Sequence, residues 1–174
     1  MRCLLDKVTA RHIMEGMLKL VEGRTVTSTE LLALYFYQRA RSNEIALFIL
    51  PQTHNLLKRS EHLSRYVAII RHFLRSTQVV LPARYFKRWA RRLGEYGFTK
   101  EDAEVLALAT FGTNLNRDVL GMHVIATFDQ PMINQWDAHQ TAIRERLLNM
   151  QRNLAVPYNS VSLPTVEHPE RITI

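Results

Sequence analysis

The chain alternates short continuous apolar runs with longer stretches of helical periodicity. Arg2 to Leu5 is an apolar run that stops at Asp6. From residue 9 to 22, Ile13, Met17, Leu20 and Val21 recur at helical spacing, which predicts a helix with Thr9 as cap and Gly23 as stop. Thr27-Ser28-Thr29-Glu30 supplies capping residues for a second helix from about Leu31 to Arg41. Ile45 to Leu50 is unbroken and ends at Pro51, the pattern of a strand buried on both faces. A short helix over 53–59 follows, and Tyr66, Ile69, Ile70, Phe73 and Leu74 form the stripe of another between His62 and Arg75. Thr77 to Leu81 is a further strand, closed by Pro82. Two helices are predicted over 83–94 and 99–111, separated by Gly94 and Gly97, with Thr99 capping the second and Asp102 at its third position. A polar loop over 112–118 leads to a strand from Met122 to Thr127, then to a helix from Asp137 to Gln151.

Strands alternating with helices in this way predict right-handed crossovers and a parallel sheet covered on both faces. The fold class is therefore α/β, a three-layer α/β/α sandwich around four to five parallel strands. One domain over 1–151 accounts for the periodic part. Residues 152–174, with Pro157, Pro164 and Pro169 and no period, read as a tail that wraps the surface or is disordered.

Composition changes this picture in two ways. A hydrophobic fraction of 47% and a charged fraction of 22% are those of an ordinary globular domain. No run approaches the about 18 apolar residues that a membrane span needs, and the opening residues lack a secretory leader. The lone Cys3 cannot form an internal disulfide, so cytoplasm is the expected compartment and a small core residue the expected role. The net charge of +7, with a pI near 9.9, points to a polyanionic partner such as RNA or DNA.

Ligands of open parallel sheets bind beyond the carboxyl ends of the strands. Asp6 follows the first strand, Asp129 follows the last, and Asp102 opens the helix that precedes it. Converging carboxylates repel one another unless a cation neutralises them, and hard oxygen ligands suit Mg²⁺ or Mn²⁺. Helix capping is the alternative use of the same residues. Arg84, Lys87, Arg88, Arg91 and Arg92 fall on one stripe of the 83–94 helix, opposite Tyr85, Phe86, Trp89 and Leu93. That stripe suits a phosphate backbone, or else a solvated face or an acidic partner. The histidines are scattered, with no zinc-ligand spacing; His54 beside Asn55 is the one nearest a site position. No G-x-S-x-G, G-x-x-x-x-G-K or G-x-G-x-x-G is present.

The runs CLLD at the start, KEDAEVLALAT at 100–110 and VIATFDQ at 124–130 resemble successive motifs of PIN domains, in the family's order and strand–helix context, over about residues 1–135. The resemblance implies an α/β/α sandwich and a metal-dependent ribonuclease with Asp6, Asp102 and Asp129 as metal carboxylates. It implies Thr127 as an accompanying hydroxyl. Many PIN domains are toxins, so an antitoxin-like partner and a homodimer are also implied. The chain departs from the pattern at Lys7 and Val8, where the family has a small hydroxyl and a polar residue. The family's acidic residue after the second strand should fall within 52–57, where Asn55 is the closest substitute; Glu61 lies too far along and Glu30 before the strand. These departures leave a second expectation open, an eroded PIN fold that binds RNA or a protein without cutting.

Overall fold

The computed structural model of the protein describes residues 1–61 and 66–173. The apolar runs become parallel strands because each buries both faces of its pleat. They are β1 (Arg2–Leu5), β2 (Ala46–Ile49), β3 (Gln78–Val79), β4 (Val124–Ala126) and β5 (Thr165–Glu167), arranged in the order β3-β2-β1-β4-β5. Cys3 at the centre of the sheet lies in register with Leu47 on one side and Val124 on the other.

Seven α-helices accompany the strands among the described residues: α1 (Lys7–Val21), α2 (Ser28–Ser42), α3 (Pro51–Glu61), α4 (Val67–Ser76), α5 (Phe86–Gly94), α6 (Lys100–Phe111) and α7 (Gln130–Gln151). The period-two alternation of the strands sorts them into two layers. Leu4, Phe48, Ile125 and Val166 pack with Trp89 and Leu93 of α5, Leu106 and Phe111 of α6, and Ile133 and Trp136 of α7. Cys3, Leu5, Leu47, Ile49 and Ala126 pack with Ile13 of α1, Phe36 of α2 and Phe73 of α4. The fold is the expected α/β/α sandwich with an all-parallel sheet of five strands. Burial pushes the Cys3 thiol up to about 12, so it is an inert core residue. Among the described residues no helix is long and apolar enough to cross a membrane.

The strand order positions the site. From β1 the chain winds outward through β2 to β3, with α1, α2 and α4 on one face. It then returns past β1 to β4 and β5, with α5, α6 and α7 on the other. Neighbouring β1 and β4 therefore send their helices α1 and α7 to opposite faces, which opens a crevice at their carboxyl ends.

Several boundaries differ from expectation, each for a local reason. Asp6, not Thr9, caps α1, and Thr9 sits inside the helix with its buried hydroxyl donating to the Ala126 carbonyl at 2.9 Å. The last helix starts at Gln130 rather than Asp137. Asp129 caps it, Pro131 stands in its first turn, and Met132, Ile133 and Trp136 are its buried face. The helix expected over 83–94 begins at Phe86, leaving Arg84 in a turn. The segment 62–65 of the expected His62–Arg75 helix lies outside the described residues. The chain beyond 152 is a correction to the expected tail: it wraps the surface but also delivers β5, since Val166 completes the core and Thr165 to Glu167 cover the edge of β4.

Candidate active site at the carboxyl edge of the sheet

Asp6 stands where β1 ends. Its backbone N–H donates to Ala126 at 3.1 Å, which ties it to the end of β4. Its Oδ1 accepts the Lys7 N–H at 2.6 Å, and its Oδ2 accepts the Thr127 hydroxyl proton at 3.0 Å. The same Thr127 oxygen accepts the Asp129 N–H at 3.0 Å, so one fully buried hydroxyl links the two aspartates across the crevice. Asp129 caps α7 by accepting the Met132 N–H at 3.1 Å. Asp102, in the first turn of α6, exchanges bonds with its cap: the Thr99 hydroxyl donates to Asp102 Oδ2 at 2.6 Å, and the Asp102 N–H donates to Thr99 Oγ1 at 3.2 Å.

Three helix N-termini thus meet at one edge, and their dipoles favour negative charge there. Capping and site geometry use the same residues. Burial pushes the Asp6 carboxyl above its ordinary range, against the Lys7, Thr127 and Val8 bonds that pull it down, and the Asp102 charge adds to the rise. Asp102 is raised by burial first and then by the Asp129 and Glu101 charges. The three expected carboxylates are therefore electrostatically coupled. They are not drawn into a ligand cluster: among the described residues, no three His, Cys, Asp or Glu side chains are grouped to hold a metal ion. The two observations are compatible, because charges act over longer distances than coordination bonds.

The other expected site residues separate. Asn55 is exposed on α3; the α3 residues facing the adjoining cleft of about 340 Å³ are Gln52, Thr53 and Leu56, across from Val105 and Leu108 of α6. Asn55 is not among the residues that line that cleft. Lys7 directs its ammonium to Glu101 at 3.0 Å, both exposed, rather than onto the aspartates. Glu101 is the partner the sequence reading missed; its pairing crosses from α1 to α6 and has no local signal. Glu30 is engaged elsewhere, accepting from Lys19 at 2.5 Å and from the Thr27 N–H at 2.8 Å. Glu61 binds Arg71 at 2.6 Å. His54 is half-buried on α3.

The basic residues divide between two sides of α5. Trp89 and Leu93 anchor the helix in the core, with Tyr85 and Phe86 partly buried beside them. Lys87 and Arg91 face α6 near Lys100. Arg88 and Arg92 face α7 near Arg146. Arg84, outside the helix, lays its guanidinium over the Tyr85 ring at 5.5 Å.

No protein-family model and no curated protein matches the chain.

Proposed function

We propose that the chain is a PIN-type nuclease that hydrolyses RNA phosphodiester bonds, with Asp6, Asp102 and Asp129 holding a divalent cation. The observation that carries this reading is the Thr127 hydroxyl, which joins Asp6 to Asp129 at the switch point of the sheet, while the Asp102 charge bears on Asp6 and the Asp129 charge on Asp102. The donor chemistry fits a hard cation. All three residues offer oxygen, and each is held by a positioning bond, Asp102 to the Thr99 hydroxyl and Asp129 to the Met132 N–H. A cation would offset the burial that raises Asp6 and Asp102, and with it the smaller repulsion from their neighbouring carboxylates. Bound there, Mg²⁺ or Mn²⁺ supplies a water of lowered pKa and neutralises charge on the phosphate. The protein's own part is orientation: Thr127 fixes Asp6, Thr99 fixes Asp102, and the α7 N-terminus fixes Asp129.

A second reading, a PIN fold that binds RNA without cutting it, is supported by the ungathered carboxylates, by the exposure of Asn55 and by the Lys7–Glu101 bridge beside the site. The two separate in one experiment. Cleavage of labelled RNA with Mn²⁺ or Mg²⁺ against chelator, together with a calorimetric metal titration, is expected to show metal-dependent activity. Asp6→Asn and Asp129→Asn should each reduce it by on the order of 100-fold or more, since even the outer partners of metal ligands cost 10- to 100-fold. RNA binding with neither metal heat nor cleavage in the wild type would leave the binding module.

A further inference from the structure

Away from the carboxylates, three guanidinium groups converge in a groove of about 500 Å³ between α5 and α7. Arg88 and Arg92 enter from α5 and Arg146 from α7, with the amides of Asn149 and Asn153 along the same wall. We propose that this groove binds successive phosphates of a nucleic-acid strand. The fold holds Arg146 in place before any ligand arrives: Glu95 accepts from it at 2.7 Å, and its guanidinium lies over the Tyr96 ring at 5.7 Å. Arg92 is half-buried among like charges, and burial with the Arg88 and Arg146 cations lowers its pKa. Like charges held together cost energy that an anion recovers, and Glu145 is the acidic side chain on the groove wall.

The occupant follows from charge and distance. The chain carries a net +7, and planar guanidinium forks match phosphate oxygens in pairs. Arg146 lies about 25 Å along α7 from Asp129 at the helical rise of about 1.5 Å per residue. The groove therefore cannot touch the bond at the carboxylates. It holds a remote part of the same strand and supplies binding energy apart from the chemistry. The inference rests on the nucleic-acid substrate of the proposed function but not on its metal or its catalysis.

The test is fluorescence anisotropy of single-stranded RNA on the full chain in chelator, over a series of salt concentrations. Replacing Arg88 and Arg146 together by Gln should weaken binding about tenfold and lower the salt slope by about 1 for each lost phosphate contact. Arg88→Lys with Arg146→Lys, which keeps both charges but not the paired forks, should restore the salt slope and only part of the affinity. Lys87→Gln with Arg91→Gln, on the flank of α5 that faces α6, should have the smaller effect. An unchanged affinity and salt slope in the Arg88/Arg146 pair, with native melting behaviour, would overturn the proposal. Full displacement of the RNA by inorganic phosphate at matched ionic strength would also overturn it, by showing a single-anion pocket. Because this assay contains no free metal, a protein that binds RNA this way yet does not cleave it when Mg²⁺ or Mn²⁺ is supplied refutes the nuclease reading alone.

Discussion

One carboxylate at Asp6 serves the strand end, the helix start and the crevice at once. It caps α1, receives Thr127 and is buried to 7% exposure. Burial disfavours its charged form more than these bonds favour it, so its native pKa lies above the ordinary 3.8. A carboxyl raised on folding holds its proton more tightly in the native state. Its contribution to stability is full below pH 3.8 and is lost as pH rises through the native value. Asp6→Asn keeps an acceptor for the Lys7 N–H and removes the charge. Its melting temperature at neutral pH is therefore expected at or above the wild type, with the advantage vanishing in acid, as thermal denaturation across pH would read. A variant that melts well below the wild type at neutral pH would show that the charge is needed for folding. At this scale the sequence was informative about the three aspartates and Thr127, because strand ends and helix starts place them. It was uninformative about Asn55, whose direction depends on how α3 packs.

Among the elements, α2 has the most complete local logic. Thr27 accepts the Glu30 N–H at 3.3 Å, Glu30 returns a bond to the Thr27 N–H, and Lys19 of α1 joins the same carboxylate. These partners hold the Glu30 carboxyl at about 2, with the Lys19 bond the largest cause. Thr27→Ala should cost about 1 kcal/mol in urea unfolding, the usual worth of such a cap. Glu30→Gln should narrow its gap from the wild type as pH falls from 4.5 toward 2, because a depressed carboxyl stabilises only while it is ionised. The capping box was readable from Thr27 and Glu30 three apart, whereas Lys19 was not, since its approach needs α1 laid against α2. The basic helix teaches the same lesson. Its stripe was visible, but its division into Lys87/Arg91 and Arg88/Arg92 follows from the helices on either side.

For the molecule as a whole, β5 has consequences out of proportion to its three residues. It covers the edge of β4 and buries Val166. Its Glu167 carbonyl accepts the Thr127 N–H at 3.0 Å, so the far end of the chain holds the residue that links Asp6 to Asp129. A chain ending at Arg152 is expected to lose at least about 2 kcal/mol, roughly what burying one valine contributes. Its bared β4 edge should promote self-association, visible by size-exclusion chromatography. Any metal-dependent cleavage should fall with it. Wild-type stability in that truncated chain would show that β5 is dispensable.

Local physics decided what the sequence alone could determine: unbroken apolar runs closed by proline made strands, capping residues started helices, and their alternation made a parallel α/β/α sandwich. It also placed Asp6, Asp102 and Asp129 beside strand or helix ends. The tertiary structure decided what depends on residues far apart in the chain. A three-residue strand such as Thr165–Glu167 has no period of its own and forms only because β4 offers an unpaired edge. Whether three aspartates lie within range of one another, and whether Arg146 completes a groove begun by Arg88 and Arg92, depends on how whole helices pack, and no local spacing encodes that.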